Sequence, residues 1–298
     1  MLILRIALLV MTFLPTLWAQ GYSFQQFSVP GRKTMATSIN NRGAIVGAFF
    51  TGGGFKRDAD GVFEFPLAGY FPSAINDSGV IVGGYDGGGH SHGFLLTGGV
   101  HGTYTTVDVS PGPDTVIYGV NNLGDFAGQT GDFGVPVQFH GFVSIGGVIT
   151  QIDVPGAVDT TAFAVAWDGT VVGSYLEFVN GMPFWYGFVR GPKGNILRFQ
   201  VPNSSAVFPF GINNEAGVIV GTYRDNFTRP HGFVYNYVAD LAALDGASAN
   251  PVQTASVQTV DYPGKYNTHV TGVNAKGVLV GYLISNSPTV SFTAAPLP

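Results

Sequence analysis

The chain has 298 residues, of which 10% are charged and 45% are hydrophobic, with a net charge of -5. Charged residues make up about 25% of a typical globular domain, and the high hydrophobic content excludes an intrinsically disordered chain. The negative charge leaves no basic face and excludes a nucleic-acid partner. The 44 glycines and 18 prolines predict many short strands joined by tight turns.

The first residues read as a secretory signal peptide. Arg5 precedes a short apolar segment, residues 6–14, and the small residue Ala19 follows. The segment is shorter than the roughly 20 apolar residues of a membrane-spanning helix. We therefore predict cleavage after Ala19, so that residues 1–19 form the signal peptide and residues 20–298 form one domain without a membrane span. The mature chain is expected in the periplasm or outside the cell.

One pattern recurs six times along the chain: an apolar strand, an Asn-rich turn closed by glycine, and an apolar run that ends at a further glycine. The fifth copy reads from Gly211 to Tyr223. Repetition at a period of roughly 45 residues is typical of repeat architectures. The glycines at the end of the second run, called the anchor glycines below, are Gly47, Gly83, Gly128, Gly173, Gly221 and Gly281.

Each copy predicts four short antiparallel strands. The first two form a hairpin, because Asn and Gly supply the positive φ angles of tight turns. A third strand opens with His-Gly-Phe, at 92–94, 140–142 and 231–233. The fourth alternates polar and apolar residues before a proline, which suits the outer edge of a sheet. Four strands in each of six copies predict an all-β fold, a six-bladed β-propeller.

The two ends of the mature chain are complementary. Residues 23–29 resemble a fourth strand that has no preceding three, whereas the last copy stops after Phe292 without a fourth strand. We predict that the N-terminal strand pairs with the last copy and closes the ring, because a missing outer strand would leave an unpaired edge. A small, polar insertion from Val238 to Ser256 is predicted to be a surface loop or a short helix.

With these motifs the chain resembles the HAF-repeat family of extracellular repeat proteins, named after a His-Ala-Phe triplet that reads His-Gly-Phe here. The Val-Gly-x-Tyr runs at 82–85 and 220–223 match as well. The resemblance covers residues 27 to 292 and implies secretion and a repeat architecture, but no activity. The first and sixth copies lack the histidine and the fourth has Tyr186 in its place, so the repeat does not require it.

The repeated histidines do not predict a shared metal site. Strands lie about 4.8 Å apart, so third strands of neighbouring blades are too distant for a bond of about 2.1 Å to one zinc ion. We expect each ring to bond a neighbouring backbone group, and the fourth-strand acids to be solvated. His90 and His92 beside Asp86 are a weaker alternative for a local metal pair. No cofactor and no metal are predicted. The fourth-strand acids are Glu64, Asp108, Asp153 and Asp261.

The residues that break the repeat predict a ligand-binding face. Connections between the second and third strands should emerge on one face together with the connections between blades. Exposed aromatic side chains among polar groups suit sugar or protein surfaces. The main candidate is Trp185, because residues 181–186 form the most aromatic loop; alternatively, its indole fills the gap left by the missing histidine of the fourth copy. The predicted ligand-binding residues are Trp185, Tyr266, Asp86, Arg224 and Asp225.

The sequence therefore predicts a secreted, non-catalytic binding or scaffold propeller whose partner is an extracellular polysaccharide or protein. No catalytic motif occurs, which disfavours an enzyme. The alternative is a secreted lyase or hydrolase that acts on polysaccharides through acids of the variable-loop face. An outer-membrane β-barrel is a third hypothesis, but its strands need about 9 to 11 residues, and prolines and turns limit the strands here to about four to seven.

Overall fold

The computed structural model describes residues 21–65, 69–134, 138–238, 240, 252–253, 257–264, 267–284 and 289–297. The predicted signal peptide and most of the insertion at 238–256 lie outside these ranges. Within them no helix is long and apolar enough to cross a lipid bilayer.

All elements with described bounds are β-strands, which confirms the all-β class. In chain order they are β1 (Tyr22–Phe27), β2 (Thr34–Ile39), β3 (Ile45–Phe49), β4 (Gly54–Asp58), β5 (Gly61–Glu64), β6 (Tyr70–Ile75), β7 (Ile81–Gly87), β8 (His90–Thr97), β9 (Thr103–Val107), β10 (Asp114–Val120), β11 (Phe126–Gly131), β12 (His140–Ile145), β13 (Val148–Ile152), β14 (Asp159–Val165), β15 (Val171–Val179), β16 (Met182–Arg190), β17 (Ile196–Gln200), β18 (Ser204–Asn213), β19 (Val218–Asp225), β20 (Pro230–Asn236), β21 (Val252–Gln253), β22 (Val257–Val260), β23 (Thr268–Val273), β24 (Leu279–Leu283) and β25 (Val290–Pro296).

The strands form a β-propeller arrangement of antiparallel sheets. Among the described residues, four sheets have four strands each, in the orders β2-β3-β4-β5, β6-β7-β8-β9, β10-β11-β12-β13 and β23-β24-β25-β1. The fourth and fifth copies share a nine-stranded sheet, in which one parallel contact between Trp185 and Ala206 joins β16 to β18. The short strand β21, which belongs to the predicted insertion, lies against β17. As predicted, the first strand of each copy lies innermost and the fourth lies outside it.

The N-terminal strand β1 belongs to the same sheet as the last copy. It runs antiparallel to β25, with Gln26 opposite Phe292. The ring of Phe24 lies 5.4 Å from that of Phe292 and 5.0 Å from that of Tyr262. The predicted pairing of the two chain ends is therefore confirmed, and it is supported by a shared aromatic core.

In every copy the anchor glycine of the second strand lies beside the phenylalanine of the third strand. A Cβ added to Gly173 would come within 2.0 Å of the Thr161 carbonyl oxygen and 2.7 Å of the Phe188 ring. The anchors are thus packing positions. The obstructing carbonyl belongs to the first strand of the same sheet, so the contact lies within one sheet. The six phenylalanines beside the anchors are all fully buried: Phe55, Phe94, Phe142, Phe188, Phe233 and Phe292.

The first strands converge on a central channel because small residues face each other there. Each first strand carries a β-bulge: the register of β10 shifts between Ile117 and Gly119 and leaves Tyr118 unpaired. A Cβ on Gly119 would come within 2.7 Å of the Cα atom of Ala164 in the next first strand. Larger residues at these positions would hold the first strands apart.

The Asn-rich turns bond to one another around the end of the channel. Each closes with a glycine in the left-handed region, at φ values from +66° to +87°, as the turn chemistry predicts. The fourth turn reads Ala166-Trp167-Asp168-Gly169 and offers no side-chain amide for this bond. In each of the other turns, the side-chain amide of the first asparagine donates to a backbone oxygen of the next turn. These bonds run from Asn40 to Asn76 (3.0 Å), Asn76 to Asn121 (2.9 Å), Asn121 to Ala166 (3.1 Å), Asn213 to Asn274 (2.8 Å) and Asn274 to Asn40 (3.4 Å).

Gly173→Ala is expected to lower the free energy of unfolding by at least about 3 kcal/mol, the upper part of the range for overpacking, because a backbone carbonyl cannot move aside as a flexible side chain can. Urea denaturation measures the change. Gly134→Ala is the matched control, since its Cβ would meet only the Asp132 carboxylate at 3.1 Å. Equal stability of the two variants would contradict the packing role of Gly173.

Asn76→Asp tests the bond between turns. The substitution keeps the Oδ1 acceptor for the Val80 N–H (2.9 Å) and removes the Nδ2 donor to the Asn121 carbonyl (2.9 Å). Loss of one partner of a buried hydrogen bond should cost about 1–3 kcal/mol, visible as a lower urea midpoint. Asn195→Asp, on an exposed turn, controls for the added charge. If both substitutions shift the midpoint equally, the bond between turns does not couple the sheets.

Candidate ligand-binding face

The connections between second and third strands lie at the end of the channel opposite the Asn turns, because the strands alternate in direction. We call this end the hairpin face. Among the described residues, an exposed large apolar side chain lies in four of the six connections and, in the fourth copy, near the end of the second strand β15. One from each is Phe50 (58% exposed), Phe133 (38%), Phe178 (53%), Phe227 (76%) and Ile284 (39%).

Three of these phenylalanines are held in place through their own backbone N–H groups. Phe227 donates to the Asp225 carboxylate at 2.8 Å, Phe133 donates to the Asp114 carboxylate at 2.8 Å, and Phe50 donates to the Lys33 carbonyl at 3.1 Å. A bonded amide restricts the backbone that carries the ring. The backbone at each of these three rings is therefore fixed by a hydrogen bond, which lowers the entropic cost of a contact made through the ring.

Asp225 organises the loop of the fifth copy. Its Oδ1 atom accepts the backbone N–H groups of Phe227 and Arg229, both at 2.8 Å, around Thr228 at a φ of +64°. Desolvation raises the pKa of Asp225, but the hydrogen bonds from Arg229, Phe227 and the His231 ring outweigh it and hold this pKa below its usual value. The Arg229 guanidinium lies 5.6 Å from the Phe227 ring centre. A cation and an exposed ring thus share this loop.

Asp114 performs the same role in the third copy and also joins two sheets. It is buried and accepts the Ser91 N–H of the second copy at 2.7 Å as well as that of Phe133. Desolvation raises its pKa, but these two backbone bonds and the nearby His90 ring, at 3.4 Å, leave the pKa of Asp114 below the usual value. This carboxylate is engaged by the fold, so it acts as a scaffold for the loop.

Three of the five predicted ligand-binding residues lie on neighbouring strands. Ala206 of β18 pairs with Trp185 on one side and with Arg224 on the other, and Asp225 follows directly. The indole of Trp185 is half-buried and lies 6.0 Å from the ring of Phe208. The structure therefore brings Trp185, Arg224 and Asp225 together where the fourth and fifth copies meet.

The other two predicted residues are not part of this group. Asp86 lies on β7 in the second copy, where its carboxylate accepts the Ser91 hydroxyl at 2.9 Å. Tyr266 lies outside the described residues.

Another side chain takes the place of the missing histidine in the fourth copy. Tyr186 is buried and stacks on Tyr175, with ring centres 5.4 Å apart. Trp185 precedes Tyr186 in the same strand, so its side chain points to the opposite face of the sheet. The indole accordingly packs toward the fifth copy and not into the histidine position.

The histidines of the triplets bond to the fourth-strand acids, a pairing that the sequence analysis did not predict. The expected bond to backbone is present at His92, whose Nε2 atom lies 3.2 Å from the Gly87 carbonyl oxygen, and Asp108 and Asp153 are exposed to solvent as expected. In three copies the Nδ1 atom of the histidine meets an aspartate of its own sheet at 2.7 Å. Within the described ranges, no group of three or more such residues is placed to hold a metal ion. The pairs are His92 with Asp108, His140 with Asp153 and His231 with Asp261.

The sequence carried a signal for this pairing. Histidine and aspartate occur together in the second, third and fifth copies and are both absent from the fourth, which has Tyr186 opposite Gln200 in register. The sequence analysis grouped Glu64 with these acids. In the structure Glu64 lies opposite the phenylalanine of the triplet position, Phe55, and not opposite the histidine position two residues earlier. Its carboxylate bonds Arg32 at 3.0 Å.

Sequence reasoning did not select Phe50, Phe178, Phe227 or Ile284. Each follows or ends the apolar run of a second strand. An apolar residue at such a point reads as a continuation of the buried strand. Only the tertiary structure shows that these side chains are exposed.

Neither a protein-family model nor a curated protein matches the sequence. Among solved structures, the chain is similar to a protein assigned as TolB from Agrobacterium tumefaciens, with 11% identity, a TM-score of 0.59, and coverage of 94% of this chain and 99% of that chain. A second similarity is to the extracellular domain of a one-component system assigned in B. thetaiotaomicron, with 11% identity, a TM-score of 0.45, and coverage of 91% and 34%. At this level of identity, the first similarity shows the β-propeller fold alone.

The pKa values of two histidines are expected to shift in opposite directions from the usual value. The hydrogen bond to Asp108 raises the pKa of His92 above its usual value, whereas burial, aided by Arg224, lowers that of His269 to about 4. The stabilisation from His92 is therefore complete below about pH 6.5, the unfolded value, and is lost as the pH rises through its folded pKa. NMR titration should show both shifts, and Asp108→Asn should return His92 toward about 6.5 without moving His269. A His92 pKa unchanged by Asp108→Asn would contradict the assignment.

Proposed function

We propose that this protein is an exported, six-bladed β-propeller that binds an extracellular polysaccharide or protein without transforming it. Six blades are supported by the six sequence copies and by the single parallel contact at which the nine-stranded sheet divides into two units. Ring closure is supported by the pairing of β1 with β25 and by the bond from Asn274 to the Asn40 carbonyl. Export rests on the signal peptide at residues 1–19.

The assignment to the HAF-repeat family is part of this proposal. Its support is the triplet at 92–94, 140–142 and 231–233 together with the Val-Gly-x-Tyr runs. The phenylalanine of the triplet is buried in all six copies, which is what a repeat-defining residue requires. The histidine varies because its bond to aspartate lies near the surface and another pair of residues can replace it.

The observation that carries the binding function is the set of exposed apolar side chains on the hairpin face. Exposed rings held by bonded backbone suit a protein or sugar surface, because they bury large apolar area with little loss of side-chain entropy. Trp185, Arg224 and Asp225 border the loop of Phe227 and are proposed to extend this surface. Asp86 and Tyr266 remain candidates from the second and sixth copies.

The hydrogen bonds and pKa values of the carboxylates on the hairpin face favour binding over catalysis. Asp114 and Asp225 each accept two backbone N–H groups, and these bonds hold the pKa of each carboxyl below its usual value. A general acid needs a raised pKa near the working pH. These two carboxylates are therefore suited to holding loops and poorly suited to protonating a leaving group.

The triple variant Phe50→Ser, Phe133→Ser and Phe227→Ser is expected to weaken binding at least about tenfold, since each lost aromatic anchor costs more than about 1 kcal/mol at a well-packed contact. The mature protein is applied to an array of bacterial and plant polysaccharides, and soluble products are analysed. Leu123→Ser with Val148→Ser, exposed residues away from the hairpin face, is the control.

Two results would overturn the proposed function. Release of shortened or unsaturated chains by the wild-type protein would identify an enzyme. Equal loss of binding in the triple variant and in the control would show that the hairpin face is not the binding surface. Thermal unfolding of each variant excludes loss of fold as the cause.

A further inference from the structure

The central channel has two unlike walls. The β-bulge leaves one residue of each first strand unpaired, or two in the fifth copy, and one unpaired residue from each copy lines the channel. The first, second and sixth copies supply small hydroxyl side chains, and the third, fourth and fifth supply aromatic rings. In chain order these residues are Thr37, Ser73, Tyr118, Phe163, Phe210 and Thr271.

The aromatic wall is continuous. The ring centres of Tyr118 and Phe163 are 5.3 Å apart at 69°, and those of Phe163 and Phe210 are 4.9 Å apart at 60°. Burial raises the pKa of Tyr118 to about 12. The wall therefore lines the channel with three aromatic rings and one phenolic hydroxyl.

The charged residues that line the channel are acidic. Asp77 and Glu215 lie at its mouth among the Asn turns, and no lysine, arginine or histidine occurs among the described lining residues. Arg42 and Lys276 belong to the same turns but are not among the lining residues. In the fourth copy Ala166 stands in place of the bonding asparagine, and Trp167 follows it, with 63% of its surface exposed, on the aromatic side of the mouth. The gap in the bonds between turns thus coincides with an additional indole.

The opposite wall leaves room for a small ligand. The hydroxyl groups of Thr37 and Thr271 donate to backbone oxygens of neighbouring strands, at 3.1 Å and 2.8 Å, so their lone pairs remain as acceptors. The cavity measures about 180 Å³, which is smaller than the range of about 300–1,000 Å³ for drug-sized ligands, so only a compact ligand fits.

We propose that this channel is a binding site for a compact alkylammonium cation, entered from the Asn-turn end. An ammonium group within about 6 Å of an aromatic ring centre is attracted by the negative π face. The carboxylates at the mouth favour a cation over a neutral or anionic ligand, and the hydroxyls of Ser73 and Tyr118 suit a ligand that also bears a hydroxyl. The site is separate from the hairpin face and does not depend on the function proposed for it.

The test compares choline with 3,3-dimethylbutan-1-ol, which has the same shape without the charge, and with glucose, by calorimetry on the mature protein. Choline should bind at least about tenfold more tightly than the neutral alcohol, since a desolvated cation–π contact contributes enough for that ratio. Equal affinity for the two, preferential binding of glucose, or binding of none would overturn the proposal.

Phe163→Leu keeps apolar volume and removes the central ring of the wall. It should weaken choline binding at least about tenfold and leave the neutral alcohol unaffected. Phe210→Leu is the second variant if Phe163→Leu does not fold, as judged by circular dichroism. The triple serine variant of the hairpin face should bind choline as the wild type does, which separates this site from the proposed function. Choline binding unchanged in the folded Phe163→Leu or Phe210→Leu variant would place the cation elsewhere.

Discussion

The structure depends on a phenylalanine ring that lies beside a glycine of the neighbouring strand, once in each copy of the repeat. At Gly173 the ring of Phe188 and the carbonyl of Thr161 leave no room for even a methyl group. Because the glycine lacks a side chain, the large ring can pack directly on the backbone and be fully buried. This explains why phenylalanine is present in every triplet while the histidine beside it varies.

The sheets are coupled to each other at the centre. Asparagine side chains carry hydrogen bonds from turn to turn, and small residues such as Gly119 and Ala164 bring the first strands into contact. The resulting channel is narrow, so the bulge residues that line it face one another across it. The bulge residues therefore give the two walls their different chemistry, and residues of the turns line the mouth. Where the fourth turn has Ala166 and Trp167, the series of bonds is interrupted and the channel acquires an aromatic rim.

The residues that repeat in every copy build the strands and turns, whereas the candidate sites consist of residues that differ between copies. The hairpin face differs from copy to copy in length and sequence, yet three of its rings are held by the same device, a bonded backbone amide. Two acceptors are the carboxylates of Asp114 and Asp225, whose low pKa values reflect this use. Charged groups that sequence reasoning offers as ligands can thus be components of the scaffold that presents apolar ones.

The sequence by itself determined the all-β class, the four-strand repeat, the order of strands in each sheet and the pairing of the two chain ends, because these follow from local turn chemistry and from apolar periodicity. It also identified Arg224, Asp225 and Trp185, which the fold places on adjoining strands. Only the tertiary structure decided that His92 bonds Asp108, and that Tyr118, Phe163 and Phe210 form one wall of a channel. These contacts join residues 16 to 47 positions apart, and they depend on register, on the position of each bulge and on the arrangement of the sheets. Such quantities arise from the packing of all copies together, so no single segment encodes them.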